Sequence, residues 1–267
     1  MAESTLSLTK DQLEAEVGEF LGFGRGSAAG DTTWTERQSR SIAACLDSGL
    51  RMFYYPSPLP GESASYDWSF IRPTRTIQVA SGSSSVDMPD DFGGLEGSVR
   101  IVDNTVMRQI RQASEQFILQ KRAQLPDRVG LAEWCAVTIP SKTTATKGQR
   151  SRLMLFPTAD QDYEIEFQYY LLPDSLQTSF PYSLGGGTHS ETIKAAVKAA
   201  AELYLDNQPG PMMQMFVERM KASVSLDRRM KAQSFGYCGD PNVGRSQYMR
   251  RRDGYPVSVT YNGNVFG

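Results

Sequence analysis

A chain of 267 residues with 40% hydrophobic and 10% aromatic residues can bury a sizeable core in one large or two modest domains. Its 28 basic and 30 acidic side chains nearly cancel, for a net charge of −2, which excludes a general polyanion binder and leaves any electrostatic function to local patches. Cys45, Cys135 and Cys238 are odd in number, scattered and without a CxxC pair, so neither a disulfide framework nor a zinc site is expected, and they read as reduced packing residues.

The amino end, MAESTLSLTKDQ, lacks the basic stretch and apolar run of a secretory signal. No segment approaches the roughly 20 apolar residues that span a bilayer, and the chain reads as soluble and intracellular in origin, with no membrane partner. Thr9 followed by Gln12 is a capping box, and Leu13, Val17, Phe20 and Leu21 then share a helical face. After the glycine-rich connector GFGRGSAAGD, Thr33 and Glu36 repeat the capping pattern. Ile42, Leu46, Leu50 and Phe53 follow at helical spacing, so a second helix is predicted to about Tyr55, where Pro56, Pro58 and Pro60 stop it.

The period then changes. RTIQVASGSSSVDMPDDF and LEGSVRIVD carry β-branched residues between turn signals, as strands do. A helical interlude is expected from about Thr105 to Gln124, with Val106, Ile110, Ala113 and Phe117 on one face, ended by Pro126. Strands resume in WCAVTIP and in RLMLFPTADQDYEIEFQYYLLPD. Within the latter, Tyr163, Ile165, Phe167 and Tyr169 take one face, and Asp162, Glu164, Glu166 and Gln168 the other, giving one cored side and one wet side.

From Thr188 the pattern is helical again. Thr188 and Glu191 form a third capping box, and IKAAVKAAAELYL is rich in small residues that allow close helix packing, up to the breaker NQPGP. A longer helix is predicted from Met212 to Gln233, with Met213, Phe216, Val217, Met220 and Val224 as its apolar stripe. Met212, Met213, Met215 and Met220 read as core or interface filler.

Chemistry is harder to find. The lone histidine, His189, stands beside a helix start with no nucleophile motif such as GxSxG, and reads as a solvent-exposed cap-region residue. GFGRGS follows a helix rather than a strand, so it is a hinge and not a dinucleotide loop. The run Asp160, Asp162, Glu164, Glu166 lacks the glycine of a calcium loop and reads as a wet strand face. Lys142, Lys147, Arg150 and Arg152 form a basic loop with no acid nearby in sequence, read as a solvated hairpin tip. No catalytic residue, metal ligand or cofactor is assigned.

The end of the chain, RSQYMRRRDGYPVSVTYNGNVFG, is too aromatic for a solvated linker and too short for a core of its own. It reads as an arm ordered by other chains. VSVTY alternates as a strand that could add to a sheet edge, Arg250, Arg251 and Arg252 suit carboxylate pairing, and Tyr248, Tyr255, Tyr261 and Phe266 are candidate anchors, with Val257 and Val259 between them.

The expected fold class is α+β. Helices from residues 1–60 and 188–236 form a bundle, an antiparallel β domain with an inserted helix occupies 61–187, and an extended arm occupies 237–267. In this layout WSFIRPTRTIQV leading into VDMPDDF, the strand pair LMLFPTADQDYEIEFQYYLLPD, and ETIKAAVKAAAELYLDN with its following long helix resemble the head-to-tail adaptor (connector, or head-completion) proteins of tailed bacteriophages. The resemblance implies a structural virion protein with no enzymatic activity, assembled in the host cytoplasm into a dodecameric ring that joins the portal to a tail or nozzle protein and continues the DNA channel. It also implies that the carboxyl-terminal segment docks on the portal. Asp162, Glu164 and Glu166 could then line the channel and repel DNA, against the simpler placement on an outer solvent face. Two alternatives stay open: a nucleic-acid-binding module using the basic loop and tail, and an enzyme with an unrecognised site in the β domain.

Overall fold

The computed structural model describes residues 3–26, 33–60, 63–102, 108–140, 150–230, 259–261 and 264–266. Helix α1 (Lys10–Phe20) starts at the expected capping box, in which Thr9 Oγ1 accepts the Gln12 N–H at 3.3 Å while the Gln12 side chain accepts the Thr9 N–H at 3.0 Å. Helix α2 (Glu36–Tyr54) starts two residues later than expected, with Thr35 and Gln38 as its box in place of Thr33 and Glu36. Trp34 explains the shift. Its indole N–H donates to the Gly24 carbonyl at 3.1 Å and its ring lies against Gly18 and Gly26, which holds the chain extended through residue 34.

Helix α4 (Gly186–Asp206) also corrects the sequence reading. Gly185 (φ 98°), not Thr188, precedes its first turn, and no side chain caps it. A left-handed residue is needed there, glycine adopts it at no steric cost, and Thr188 and Glu191 lie within the helix. Asn207 ends α4 in the left-handed conformation. Helix α5 (Pro211–Met230) follows directly, and the buried Glu202 carboxylate accepts the Gly210, Met212 and Met213 N–H groups at 3.1–3.2 Å. An acid from α4 thus satisfies donors that the start of α5 leaves open. Phe216, Met220 and Val224 of the predicted stripe are buried, and Met213 and Val217 pack partly against the same core.

Helices α1, α2, α4 and α5 contribute to one core, into which Ile42, Leu46, Leu50 and Phe53 of α2 bring Ile193 and Val197 of α4. Trp68 and Ile71, at a short 3-10 turn (Ser69–Ile71), fill the same core from the segment that leads into the sheet.

Seven strands form one sheet: β1 (Thr74–Val79), β2 (Ser85–Asp87), β3 (Phe92–Val102), β4 (Arg108–Gln112), β5 (Trp134–Thr138), β6 (Arg152–Phe156) and β7 (Tyr163–Leu171), in the order β1-β7-β3-β4-β5-β6-β2. The two edge strands are consecutive in sequence and separated by residues 80–84 alone, so the sheet curls until it nearly closes into a barrel. Tyr163, Ile165, Phe167 and Tyr169 point into that barrel, as their alternation predicted, with Val79, Val99, Ile101, Ile110 and Leu155.

The sheet is mixed rather than antiparallel, because β4 and β5 run parallel. The reason is helix α3 (Glu115–Gln124), which carries the chain from β4 to β5. A parallel pair requires a crossover of this length. The predicted helix over 105–124 is therefore half right. Residues 103–107 lie outside the described residues, and Arg108–Gln112 is a strand in which Ile110 pairs with Val99. Burial of that one isoleucine in the barrel outweighs a helical pattern that Ile110 fits equally well. Ser114 then caps α3, whose Phe117 and Ile118 pack with Trp134 and Phe156 in a small separate cluster.

By contacts the chain divides into a unit from Met1 to Arg229 and one from Met230 to Gly267. In the second, β8 (Val259–Tyr261) pairs antiparallel with β9 (Asn264–Phe266), Val259 opposite Phe266.

Candidate functional site

The acidic face of β7 lies on the outside of this chain's barrel. Asp162 accepts the Ser81 N–H at 2.7 Å, Glu166 pairs with Arg100 at 2.9 Å, and Glu164 is exposed opposite Gln78 of β1. Two of the three carboxylates thus already hold protein donors. Among the described residues no group of three His, Cys, Asp or Glu side chains is placed to hold a metal ion.

The basic loop is less isolated than its sequence suggested. Lys142 and Lys147 lie outside the described residues, but Arg150 pairs with Asp90 at 3.3 Å and Arg152 with Asp87 at 2.6 Å. The absence of nearby acids was a property of the sequence only: β2 pairs antiparallel with β6 and sets Asp87 directly opposite Arg152. In the carboxyl-terminal arm, Tyr248, Arg250, Arg251, Arg252, Tyr255 and Val257 fall outside the described residues. Val259 and Tyr261 lie in β8 and Phe266 in β9.

His189 is buried, at 2% exposure, and not a solvated cap residue. Its ring sits 5.2–6.0 Å from those of Phe53, Trp68 and Phe70, so α2 and the Trp68–Ile71 segment close over the first turn of α4. Nδ1 has no hydrogen-bond partner among the described residues, and burial pushes the imidazole pKa below its ordinary value, only partly opposed by Asp227. Asp227, also 2% exposed, takes the Tyr66 hydroxyl at 2.7 Å, the Ser69 N–H at 3.0 Å and the Ser69 hydroxyl. Burial raises its carboxyl pKa but these donors lower it by more, for a net depression, while the phenol of Tyr66 is pushed up by burial and by the carboxylate. The hydroxyl of Ser69 is thus engaged as a donor to the Asp227 carboxylate. This junction fastens α5 to the segment entering the sheet. Sequence reasoning missed it because Asp227 and Tyr66 are 161 residues apart.

Two apolar surfaces on the helical side are left uncovered by the described residues. One is a groove of about 530 Å³ between the end of α2, the proline-rich segment 56–60 and α5, lined by Met52, Tyr55, Leu59, Met213 and Val217 among others. The methionines had read as core or interface filler, and Met213 here lines an open groove. The other is a strip formed where the amino-terminal segment runs beside residues 180–184, joined by the Lys10 N–H to the Pro181 carbonyl at 2.8 Å and the Thr9–Tyr182 bridge. Leu6 and Phe180 are 79% and 75% exposed there, with Tyr182 and Leu184 beside them. Isolated exposed apolar side chains are ordinary, but grouped ones mark contact surfaces.

On the sheet side, Arg111 stacks on Trp134 at 5.4 Å and Lys121 on Phe117 at 5.6 Å, beside a polar cleft lined by Arg108, Gln109 and Glu133. The described surface therefore offers contact patches on both the helical and the sheet side. The profile of the family described as SU10 adaptor protein matches residues 9–236, spanning all five helices and the seven-stranded sheet. The chain belongs to the SU10 adaptor protein family. Comparison with curated proteins gives no match. Membership makes this chain a phage adaptor, a structural protein of the virion that interacts with other head or tail proteins. No helix among the described residues is long and apolar enough to cross a membrane.

Proposed function

We propose that this SU10-family adaptor assembles as a dodecameric ring at the head-tail junction, joining the portal to a tail or nozzle protein and continuing the DNA channel. The observation that carries the reading is the family match over residues 9–236. The apolar groove and strip left uncovered by the described residues support it, because grouped exposed apolar surface marks interaction sites. In this reading the helices of 1–60 and 188–236 form one layer and residues 61–187 the other. Residues 237–267 are the arm that reaches the portal, with Tyr248, Arg250, Arg251, Arg252, Tyr255, Val257, Val259, Tyr261 and Phe266 as its contacts. Many weak contacts repeated around a ring sum to a stable junction.

Asp162, Glu164 and Glu166 stand on the outer face of each barrel. If that face lines the lumen, the carboxylates left after the Arg100 pair repel passing DNA. Electron micrographs of the purified full chain, alone and with the cognate portal, test the proposal, with rings of uniform diameter stacked on the portal as the expected result. Chains that neither form rings nor bind the portal would overturn it. Deleting residues 240–267 is expected to leave thermal unfolding unchanged and to abolish portal binding, and normal assembly of the deletion would show that the arm is not the docking element.

A further inference from the structure

Resting on that ring reading, we propose that the groove between α2 and α5 receives the Leu6–Phe180–Tyr182–Leu184 strip of a second copy of this chain, so that each subunit docks on the next through two different faces. The two surfaces lie on different sides of the α2–α4 pair. Helix α4 offers Lys194 and Lys198 to Glu16 of α1, at 3.0 and 2.7 Å, and from another side offers Thr192 to Ser223 of α5 at 2.6 Å. Helix α2 divides the same way: Tyr54 turns its hydroxyl to the Leu184 N–H beside the strip, and Met52, at a different angle on the helix, lines the groove. Two unlike, mutually complementary patches on different sides generate head-to-tail contacts, which close into a ring when the rotation per subunit permits. A two-fold dimer would instead need one patch that matches itself.

The chemistry of both surfaces selects this occupant. Leu6, Phe180, Tyr182 and Leu184 on one side and Met52, Tyr55, Leu59, Met213 and Val217 on the other are apolar, which suits neither nucleic acid nor an acidic segment. Pro56, Pro58 and Pro60 form one wall of the groove, so little backbone freedom is lost on docking. The methionines adapt their shape to an aromatic insert. Charge agrees as well. Arg51 lines the groove without an ion pair among the described residues, and the exposed Glu3, beside Gly186, and Asp11, next to the Lys10 that bonds Pro181, stand by the strip, also without one there.

The test uses full-length chains in which Cys238→Ser removes the cysteine that lies outside the described residues, Cys45 and Cys135 being buried. Phe180→Cys and Val217→Cys are introduced into separate chains, which are mixed and treated with a short bismaleimide. A covalent dimer containing one chain of each type is expected from the mixture and from neither variant alone. Phe180→Asp, at an exposed position, and Val217→Asp, at a half-buried position on the groove wall whose urea midpoint is measured alongside, are expected to weaken self-association about thirtyfold or more, as loss of an interface anchor does. Rings that persist in both Asp variants, or wild-type rings whose Cys variants give no mixed dimer, would overturn this interface and leave the ring reading standing. A Val217→Cys chain that cross-links to itself would show a two-fold contact, and a groove opened only by deleting residues 240–267 would show the arm as its occupant; either result overturns the proposal. Wild-type chains that stay monomeric at every concentration contradict both the interface and the ring.

Discussion

Replacing Gly49 with alanine is expected to destabilise the protein, although the same change at most helix interiors stabilises it. Gly49 lies in the middle of α2 where that helix touches α4, and a Cβ placed there would sit 2.5 Å from the Val197 Cα, 2.8 Å from its nitrogen and 3.0 Å from the Ala196 carbonyl carbon. Carbon atoms settle at about 3.5–4.0 Å, so the helices must part by about 1 Å to admit the methyl group. Backbone atoms cannot rotate out of the way, so the strain falls at the top of the overpacking range, about 3 kcal/mol. The helix propensity gained from alanine offsets about 1 kcal/mol, leaving a net loss of about 2 kcal/mol. The assay is urea unfolding followed by tryptophan fluorescence, to which Trp68 reports from the same core, its indole N–H bonded to the Phe53 carbonyl at 2.9 Å. Ser48→Ala, on the exposed side of the same turn, is the control and should change stability by about 0.5 kcal/mol or less. A Gly49→Ala midpoint equal to or above wild type would refute close α2–α4 contact as the role of this glycine.

Three further outcomes follow from buried polar groups. His189 is held below its ordinary pKa, so the unfolded chain binds its proton more readily. Its contribution is therefore present above about pH 6.5 and is lost progressively as pH falls below that value; His189→Phe should flatten the fall of the urea midpoint over this range. Glu202→Ala leaves three N–H groups at the start of α5 without an acceptor and should cost about 2 kcal/mol, with faster hydrogen exchange at Met212 and Met213. The Cys135 thiol is fully buried and its pKa is pushed up to about 12, and Cys45 is buried and raised as well. At neutral pH without denaturant, a thiol reagent should therefore label neither, and rapid labelling of Cys135 would show that the barrel core opens.

Local signals determined much of this molecule. A capping box located the start of α1, the 3.6 period located α2 and α5, and strict alternation in Tyr163–Tyr169 predicted which side chains of β7 enter the core. These features depend on neighbours within a turn or a strand, which is why they can be read along the chain. Three decisions belonged to the tertiary structure. Arg108–Gln112 became a strand because Ile110 found Val99, and the sheet became mixed because α3 returns the chain parallel to β4. His189 went from an apparent surface cap to the centre of an aromatic cage because Phe53, Trp68 and Phe70 converge on it from distant segments. The groove and strip were equally invisible, since an apolar residue reads the same whether another part of its chain covers it or leaves it bare. Periodicity reports which side of an element is apolar, but only the packing of all the elements decides which apolar sides remain for a partner.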